Sequence, residues 1–279
     1  MGLNKRKTGK FIVAILWMGI GASLVVLLLA AIRKRDDKTC SGMEIEIKDA
    51  QHHLFADKND IKGMLIHMMP AIKGSPLADF DLRKMEQTLE SNVWIKDAEL
   101  FFDNNEVLRV KIEERKPLAR IFTTGGKSYY IDNELIRLPL SSRLPADVPV
   151  FTSCPLDKTR WNAADSTLLL QVKAISEFIS ANAFWMAQIE QINYADEKRF
   201  ELYPKVGEHV IILGDGYNLE QKFSKLYTFY SEVLAKVGWD TYSTIDVQYS
   251  RQVVATRKNT AQPIIIQNQL NHINSYATQ

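Results

Sequence analysis

The residue types that could perform chemistry are few, and their spacing fits structural roles better than catalytic ones. His52 and His53 are adjacent, so on an extended segment their rings point to opposite sides, and no acidic or thiol cluster completes a metal site. Glu113 and Glu114 would likewise face opposite ways, which excludes a glycosidase pair and indicates a charged, exposed strand end. Gly214-Asp215-Gly216 resembles the start of a phosphate loop but lacks the rest, which favours a plain turn between a strand and a capped helix.

Common catalytic motifs are absent from the sequence. It contains no G-x-S-x-G nucleophile turn, no P-loop and no H-E-x-x-H zinc motif. The formal net charge is +2, with Lys/Arg and Asp/Glu mixed along the chain, so there is no concentrated basic surface for nucleic acid. We therefore predict a non-enzymatic binding protein with no metal, no cofactor and no small-molecule substrate.

The two cysteines, Cys40 and Cys154, are too far apart in sequence to form a CxxC redox or zinc motif. A disulfide between them would be possible in an oxidising compartment. Bridge geometry is demanding, however, and two unreactive thiols are the favoured interpretation.

Residues 11–32 form an uncharged apolar run, FIVAILWMGIGASLVVLLLAAI, that predicts a transmembrane helix. About 20 helical residues span a bilayer core, and this run is longer than the apolar part of a signal peptide. Orientation stays open from charge alone, because four basic residues lie on each side: Lys5, Arg6, Lys7 and Lys10 before it, and Arg33, Lys34, Arg35 and Lys38 after it.

After a charged linker at 33–42, residues 43–121 show the pattern of a small α+β domain. Met43, Ile45 and Ile47 alternate with polar residues as in a half-buried strand. Asp57 and Asp81 stand at the predicted starts of two helices, and strands are predicted at 94–102 and 107–114. Two helices on one face of a small sheet form a stable two-layer fold.

Residues 122–260 are predicted to form a mixed β-sheet domain with two helices. Gly125-Gly126 indicates a hairpin, and apolar spacing from Leu168 to Ile179 indicates the first helix. Asn218 and Gln221 have the spacing of a capping box at the start of the second helix. The last strands are predicted at 244–250 and 252–256, and the Asn/Gln-rich tail at 261–279 is predicted to be disordered.

These segments resemble a known family. Residues Met43–Ile121 resemble the POTRA domain of FtsQ/DivIB bacterial cell-division proteins, most specifically in SNVWIKDAELFFDNNEVLRVKIEERKPLARI at 91–121. YYIDNELIRLP at 129–139 and IDVQYSRQVVA at 245–255 resemble the start and the terminal strand of that family's β-domain. Gln248 departs from the pattern, since the family often has Arg there.

The resemblance implies a single-pass scaffold of the division complex in the cell (inner) membrane. Its N-terminal tail, residues 1–10, would be cytoplasmic, and its C-terminal domain would be periplasmic and enriched at the septum. The implied partners are FtsB- and FtsL-like coiled-coil membrane proteins and other divisome proteins. The implied mode of binding is addition of a partner strand to the sheet edge near the C-terminus. The residues expected to bind the partner are Tyr249, Ser250, Val253 and Ala255.

Two other functions stay open. A POTRA-containing transport or outer-membrane assembly factor would usually carry several POTRA copies or a barrel of short strands, which this sequence lacks. An anchored cell-wall enzyme would need a catalytic constellation that is not found in the sequence.

Overall fold

The computed structural model describes residues 16–27, 38–48, 55–141, 145–158 and 160–258. Two compact units make up the chain: Met1–Lys116 with Leu140–Ala146, and Pro117–Pro139 with Asp147–Gln279. The predicted tail at 261–279 and the histidines His52 and His53 lie outside the described residues.

Residues 16–27 form a helix, α1, whose side chains are exposed. The predicted transmembrane run at 11–32 extends beyond it, and residues 11–15 and 28–32 are outside the described part of the chain. Within the described residues, no helix combines the length and the apolar character needed to cross a bilayer.

The first unit contains a three-stranded sheet covered by two helices. Its elements are β1 (Gly42–Ile47), α2 (Lys58–Met68), a 3₁₀ turn (Leu77–Asp79), α3 (Leu82–Glu90), β2 (Ile95–Phe102) and β3 (Val107–Glu114). The strand order is β1-β3-β2, with β1 parallel and β2 antiparallel to β3. The predicted β-α-α-β-β order is confirmed.

Aspartate side chains start both helices, as predicted. The Asp57 carboxylate accepts a hydrogen bond from the Asn59 N–H at 2.9 Å, and Asp81 accepts one from the Lys84 N–H at 3.1 Å. Each bond satisfies a backbone donor that the first helical turn leaves without a partner.

The central strand β3 divides the first unit into an apolar and a charged side. Leu108, Val110 and Ile112 are fully buried against residues of α2 and α3. The intervening positions carry charges: Arg109 pairs with Glu44 of β1. This alternation is the period of a half-buried strand.

Glu113 and Glu114 face opposite ways, as predicted, but the prediction that both are exposed is wrong for Glu114. Glu113 pairs with Lys48 and Lys96 at 3.2 and 3.0 Å. Glu114 is buried, and its carboxylate accepts the Ala56 N–H at 2.6 Å. A hydrogen bond from a distant loop gives this carboxylate the partner that burial requires.

The second unit contains a nine-stranded sheet and a helical layer. Its elements are β4 (Pro117–Thr123), β5 (Ser128–Asp132), β6 (Arg137–Leu138), β7 (Val150–Cys154), α4 (Ala163–Ser180), α5 (Ala183–Gln188), β8 (Ile189–Tyr194), β9 (Phe200–Pro204), β10 (Val210–Gly214), α6 (Leu219–Phe229), a π-helical segment (Tyr230–Leu234), α7 (Ala235–Val237), β11 (Tyr242–Asp246) and β12 (Val254–Arg257). The strand order is β12-β11-β10-β9-β8-β7-β4-β5-β6. The boundary placed at residue 121 from the sequence falls inside β4, which pairs within this sheet.

Aromatic side chains join the helices of the second unit above the sheet. Phe178 of α4 stacks on Phe223 of α6 with ring centroids 4.7 Å apart, and Trp185 of α5 meets the same ring at 4.9 Å. In the strands beneath, buried residues alternate with partly exposed ones, as in β9, where Phe200 and Leu202 are fully buried. One face of the sheet and the helices therefore share a single core.

The connection between β10 and α6 is a turn, as predicted, but Asn218 does not form the predicted capping box. Its backbone is left-handed, with φ of 53°, and its side chain makes no capping hydrogen bond. An N-cap residue normally has an extended backbone. The complete capping box lies at α4 instead, where Asn162 and Asp165 bond each other's backbone N–H at 2.8 and 3.0 Å.

Glycine in this turn serves close packing. A Cβ atom at Gly216 would lie 2.8 Å from the Gln171 Cβ, and the Gly216 N–H donates to the Gln171 side chain at 2.9 Å. The turn therefore packs directly on α4.

Cys40 and Cys154 are both free thiols and both buried, one in each unit. Burial raises the pKa of the Cys154 thiol to about 12, because the charged thiolate would lose its hydration. The thiol is therefore protonated at neutral pH, and a protonated, buried thiol is unreactive.

Candidate partner-binding edge

Strand β12 lies at one end of the nine-stranded sheet. It pairs antiparallel with β11, with Ala255 opposite Ile245 and Val254 opposite Asp246. Among the described residues, no strand pairs with its other side. In an antiparallel ladder alternate residues direct their N–H and C=O groups away from the neighbouring strand. The outer side of β12 therefore offers backbone donors and acceptors to an added strand.

Side chains on the two faces of β12 differ in burial. Val253, just before the strand, and Ala255 are half-buried and pack against the core under the helices. Val254 is 43% exposed on the other face. The strand is thus anchored by one row of side chains and keeps the other row accessible.

The structure places two of the four predicted binding residues away from the strand. Ala255 lies within β12 and Val253 directly precedes it, whereas Tyr249 and Ser250 belong to the connection after β11. The Tyr249 side chain is 48% exposed, and Ser250 is exposed. Partner binding by these four residues stays a prediction.

The connection between β11 and β12 is held by two side chains that sequence reasoning did not select. The Lys225 ammonium of α6 donates hydrogen bonds to the carbonyl oxygens of Val247, at 2.9 Å, and of Tyr249. Asp246 accepts the Gln248 backbone N–H at 2.9 Å and its side-chain amide at 2.7 Å. These bonds fix the segment that leads into the edge strand.

A second lysine lies one turn away on α6. Lys222 is buried, and its ammonium is 2.6 Å from the Asp215 carboxylate and 2.9 Å from the Asp215 carbonyl oxygen. Burial alone would raise the pKa of Asp215, but its hydrogen bonds from Lys222 and the Tyr217 N–H lower it overall. The buried ammonium therefore has its own counter-ion and holds the turn after β10.

Basic residues flank the edge strand. Arg251 and Arg257 are exposed, and Lys258 pairs with Glu208 at 2.7 Å. The hydrogen bond and charge of Lys258 lower the pKa of Glu208. Charged residues on an edge strand discourage uncontrolled pairing between identical chains.

Three other strands lie at sheet edges among the described residues: β6 in the second unit, and β1 and β2 in the first. β6 has two residues. In the first unit, the Leu100 N–H of β2 donates to the Glu86 carboxylate of α3 at 2.8 Å. Near β1, Cys40 exchanges backbone hydrogen bonds with Ser75 and Gly74 at 2.9 and 2.7 Å.

Two aromatic rings near β6 have the arrangement of a cation-binding cage, and the chain's own Arg137 fills it. The Arg137 guanidinium lies 4.5 Å from the Tyr129 ring centroid and 3.9 Å from that of Trp161. It also donates to the Leu156 carbonyl oxygen at 2.8 Å. This cluster fixes the loop after β7.

The buried His209 and Tyr230 form the arrangement closest to a catalytic pair. The His209 Nε2 and the Tyr230 hydroxyl are 2.9 Å apart, and both residues are almost fully buried. Burial lowers the pKa of His209 and raises that of Tyr230. In the part of the chain that is described, no three His, Cys, Asp or Glu side chains are placed to hold a metal ion. The pair joins the π-helical segment to the start of β10.

Comparisons with known proteins agree with this architecture. A family model described as FtsQ/DivIB, C-terminal related, matches residues 116–256, and one described as a POTRA-like domain matches residues 38–113. The chain is 24% identical over 196 residues to the cell division protein FtsQ of Geotalea daltonii, covering 69% of this chain and 70% of that protein. It is 24% identical over 204 residues to the cell division protein FtsQ of Rhodothermus marinus, covering 69% of this chain and 71% of that protein. Since the first family model spans half of the sequence, this chain belongs to the FtsQ/DivIB C-terminal-related family and carries a POTRA-like domain before the matched region.

Proposed function

We propose that this protein is a cell-division scaffold that recruits other division proteins by adding a partner strand to β12. The observation that carries the proposal is the position of β12, which ends the nine-stranded sheet with one side unpaired among the described residues. Main-chain hydrogen bonds along such an edge supply affinity, and side chains on alternate positions supply register. Membership of the FtsQ/DivIB C-terminal-related family and the names of both relatives support the role in division.

The partners that fit this role are FtsB- and FtsL-like coiled-coil membrane proteins. Val253 and Ala255 would set the register from the core side of the strand, while Tyr249 and Ser250 would contact the chain that enters or leaves the added strand. The half-buried packing of Val253 and Ala255 supports this division of roles. The Tyr249 side chain is 48% exposed and belongs to the connection that precedes β12.

We propose a single membrane anchor at residues 11–32, with the N-terminus in the cytoplasm and both folded units in the periplasm. The uncharged apolar run and the family membership support this arrangement. The protein would concentrate at the septum, where it couples assembly of the cytoplasmic ring to septal wall synthesis. No catalytic step is part of this role.

A charge placed on the edge strand tests the proposed binding mode. Val254→Lys adds an ammonium to an exposed position of β12. The fold should tolerate this positive charge, because the residue opposite it on β11 is the negatively charged Asp246. Val237→Lys is the matched control, because Val237 is 47% exposed in α7. We expect Val254→Lys to weaken capture of the FtsB/FtsL-like pair by about tenfold or more.

Capture would be measured with the full chain in detergent, with circular dichroism as the check on folding. Val237→Lys should bind like wild type. Equal capture by both variants, with both folded, would contradict strand addition at β12. In cells, a fluorescent fusion should form a midcell band and depletion should give filaments; uniform membrane fluorescence and normal division would contradict the division role.

A further inference from the structure

Lys225 joins the helical layer to the segment that precedes the edge strand. It is half-buried on α6, and its ammonium donates to two backbone carbonyl oxygens, those of Val247 and Tyr249. Both carbonyls belong to the connection at 247–253, which contains no regular strand. One side chain from a helix therefore supplies donors to two residues of an irregular segment.

Such a segment needs external hydrogen bonds to keep one conformation. Backbone carbonyls outside helices and sheets must find donors in side chains or water. Asp246, at the end of β11, accepts a hydrogen bond from the Gln248 N–H. Gly214, at the end of β10, lies so close that a Cβ atom there would be 3.0 Å from the Gln248 Cβ. Lys225 provides the matching donors. Contacts from β10, β11 and α6 thus converge on Val247, Gln248 and Tyr249.

Among the described residues, Lys222 has a hydrogen-bonded carboxylate, whereas the Asp246 carboxylate acts on Lys225 through its charge. Lys222 has Asp215 at 2.6 Å, whereas both hydrogen bonds that the structure gives the Lys225 ammonium are to main-chain oxygens. Burial and the neighbouring Lys222 charge lower the pKa of Lys225. Carbonyl dipoles therefore stabilise an ammonium in a partly dehydrated position. Such charge-assisted hydrogen bonds are stronger than hydrogen bonds between two neutral groups.

We propose that Lys225 is a positioning residue for the β12 edge, holding the 247–253 connection so that the strand meets its partner in one register. This inference rests on the proposed strand addition. An edge that is already ordered binds more tightly, because the entropy of ordering it is not lost on binding. Ordering even one residue on binding weakens affinity by about tenfold.

Lys225→Met tests the inference, because it keeps most of the length of the unbranched side chain and removes the ammonium. Lys225→Arg should keep wild-type hydrogen exchange at 247–257 and wild-type affinity for the partner pair, since a guanidinium also donates to carbonyl oxygens. Lys236→Met is the matched control: Lys236 is exposed and pairs with Glu232 at 2.9 Å within the helical segment. The full chain would be used throughout.

The first measurement is hydrogen exchange of the amides at 247–257, with the amides of β8 to β10 reporting on the fold. We expect about tenfold faster exchange at 247–257 in Lys225→Met and unchanged exchange in the core strands. The second measurement is affinity for the purified FtsB/FtsL-like pair, which should fall about tenfold, with the loss in the association rate. Should Lys225→Met fail to fold, Lys225→Leu, which also lacks a hydrogen-bond donor, takes its place.

The outcomes separate the two proposals. Wild-type exchange at 247–257 in the folded Lys225→Met protein would overturn the positioning role, and so would faster exchange with unchanged affinity. A stabilising role alone would lower the melting temperature and leave the association rate as it is. If the wild-type chain itself fails to bind the pair, the proposed function fails and this inference fails with it.

Discussion

Glu114 offers a sharp test of the packing of the first unit. Its carboxylate is buried and accepts the Ala56 N–H at 2.6 Å. Glu114→Ala would leave that buried donor without a partner, which costs about 1–3 kcal/mol of unfolding free energy. Glu113→Ala is the matched control, because Glu113 makes only exposed ion pairs that contribute about 0–1 kcal/mol.

The pH dependence of the same site has a defined sign. Burial raises the pKa of Glu114 above its usual value, and the bond from Ala56 only partly offsets this. The contribution of Glu114 to stability is therefore fully present below the unfolded-state pKa and is lost as pH rises through the folded-state pKa. Glu114→Gln keeps the acceptor and removes the ionisation, so its stability relative to wild type should increase over that interval.

Hydrogen exchange of the amides from Phe55 into α2 would measure both effects locally, in the full chain. We expect faster exchange in Glu114→Ala and little change in Glu113→Ala. The reasoning is refuted if the two alanine variants exchange alike. It is also refuted if Glu114→Gln loses stability relative to wild type as pH rises.

Three further results are expected. Gly125→Ala should lower the melting temperature, because its Cβ atom would lie 2.4 Å from the Asp157 carboxylate at the β4–β5 hairpin. Gly42→Ala, with open space around it, should leave the melting temperature unchanged in the same thermal unfolding assay. Cys154 should resist alkylation at pH 8 in the folded chain and react after denaturation, as read by mass spectrometry, because burial raises its thiol pKa to about 12. Burial lowers the pKa of His209 below 6.5, so wild type should lose stability relative to His209→Gln as pH falls below 6.5; parallel curves would contradict this.

The sequence predicted the elements whose signals are local. Asp57 and Asp81 start helices because the capping group and the capped N–H are close along the chain. The β4–β5 hairpin forms around Gly125-Gly126 for the same reason. Alternation in β1 and β3 gave their buried faces correctly.

Features that depend on distant partners could not be read in this way. Glu114 continues the buried face of β3, but its hydrogen-bond donor lies 58 positions earlier, so nothing local predicts that the carboxylate has a partner there. Asn218 has the spacing of a cap, but its backbone is left-handed and its side chain makes no capping hydrogen bond. The box at Asn162 and Asp165 has a local signal in the three-residue spacing of its two side chains, but it lies before the apolar pattern of Leu168 to Ile179 that predicts the helix.

The secondary structure of the candidate edge was predicted in part, and partner binding by its residues stays a prediction. The terminal segment was expected to offer a strand, and Ala255 lies in β12 as that expectation required. Ser250 lies in the turn instead, since the chain leaves β11 at Asp246. Lys225 was missed because it contacts carbonyls 22 and 24 residues away, and backbone oxygens leave no trace in side-chain patterns.

A photo-crosslinking amino acid placed at position 254 in dividing cells shows whether a partner strand lies against β12. Position 206 serves as its control, since Val206 is 48% exposed and lies between β9 and β10. We expect a crosslink from position 254 to a small coiled-coil membrane protein and none from position 206. A crosslink from position 206 to that protein, with none from position 254, would contradict it.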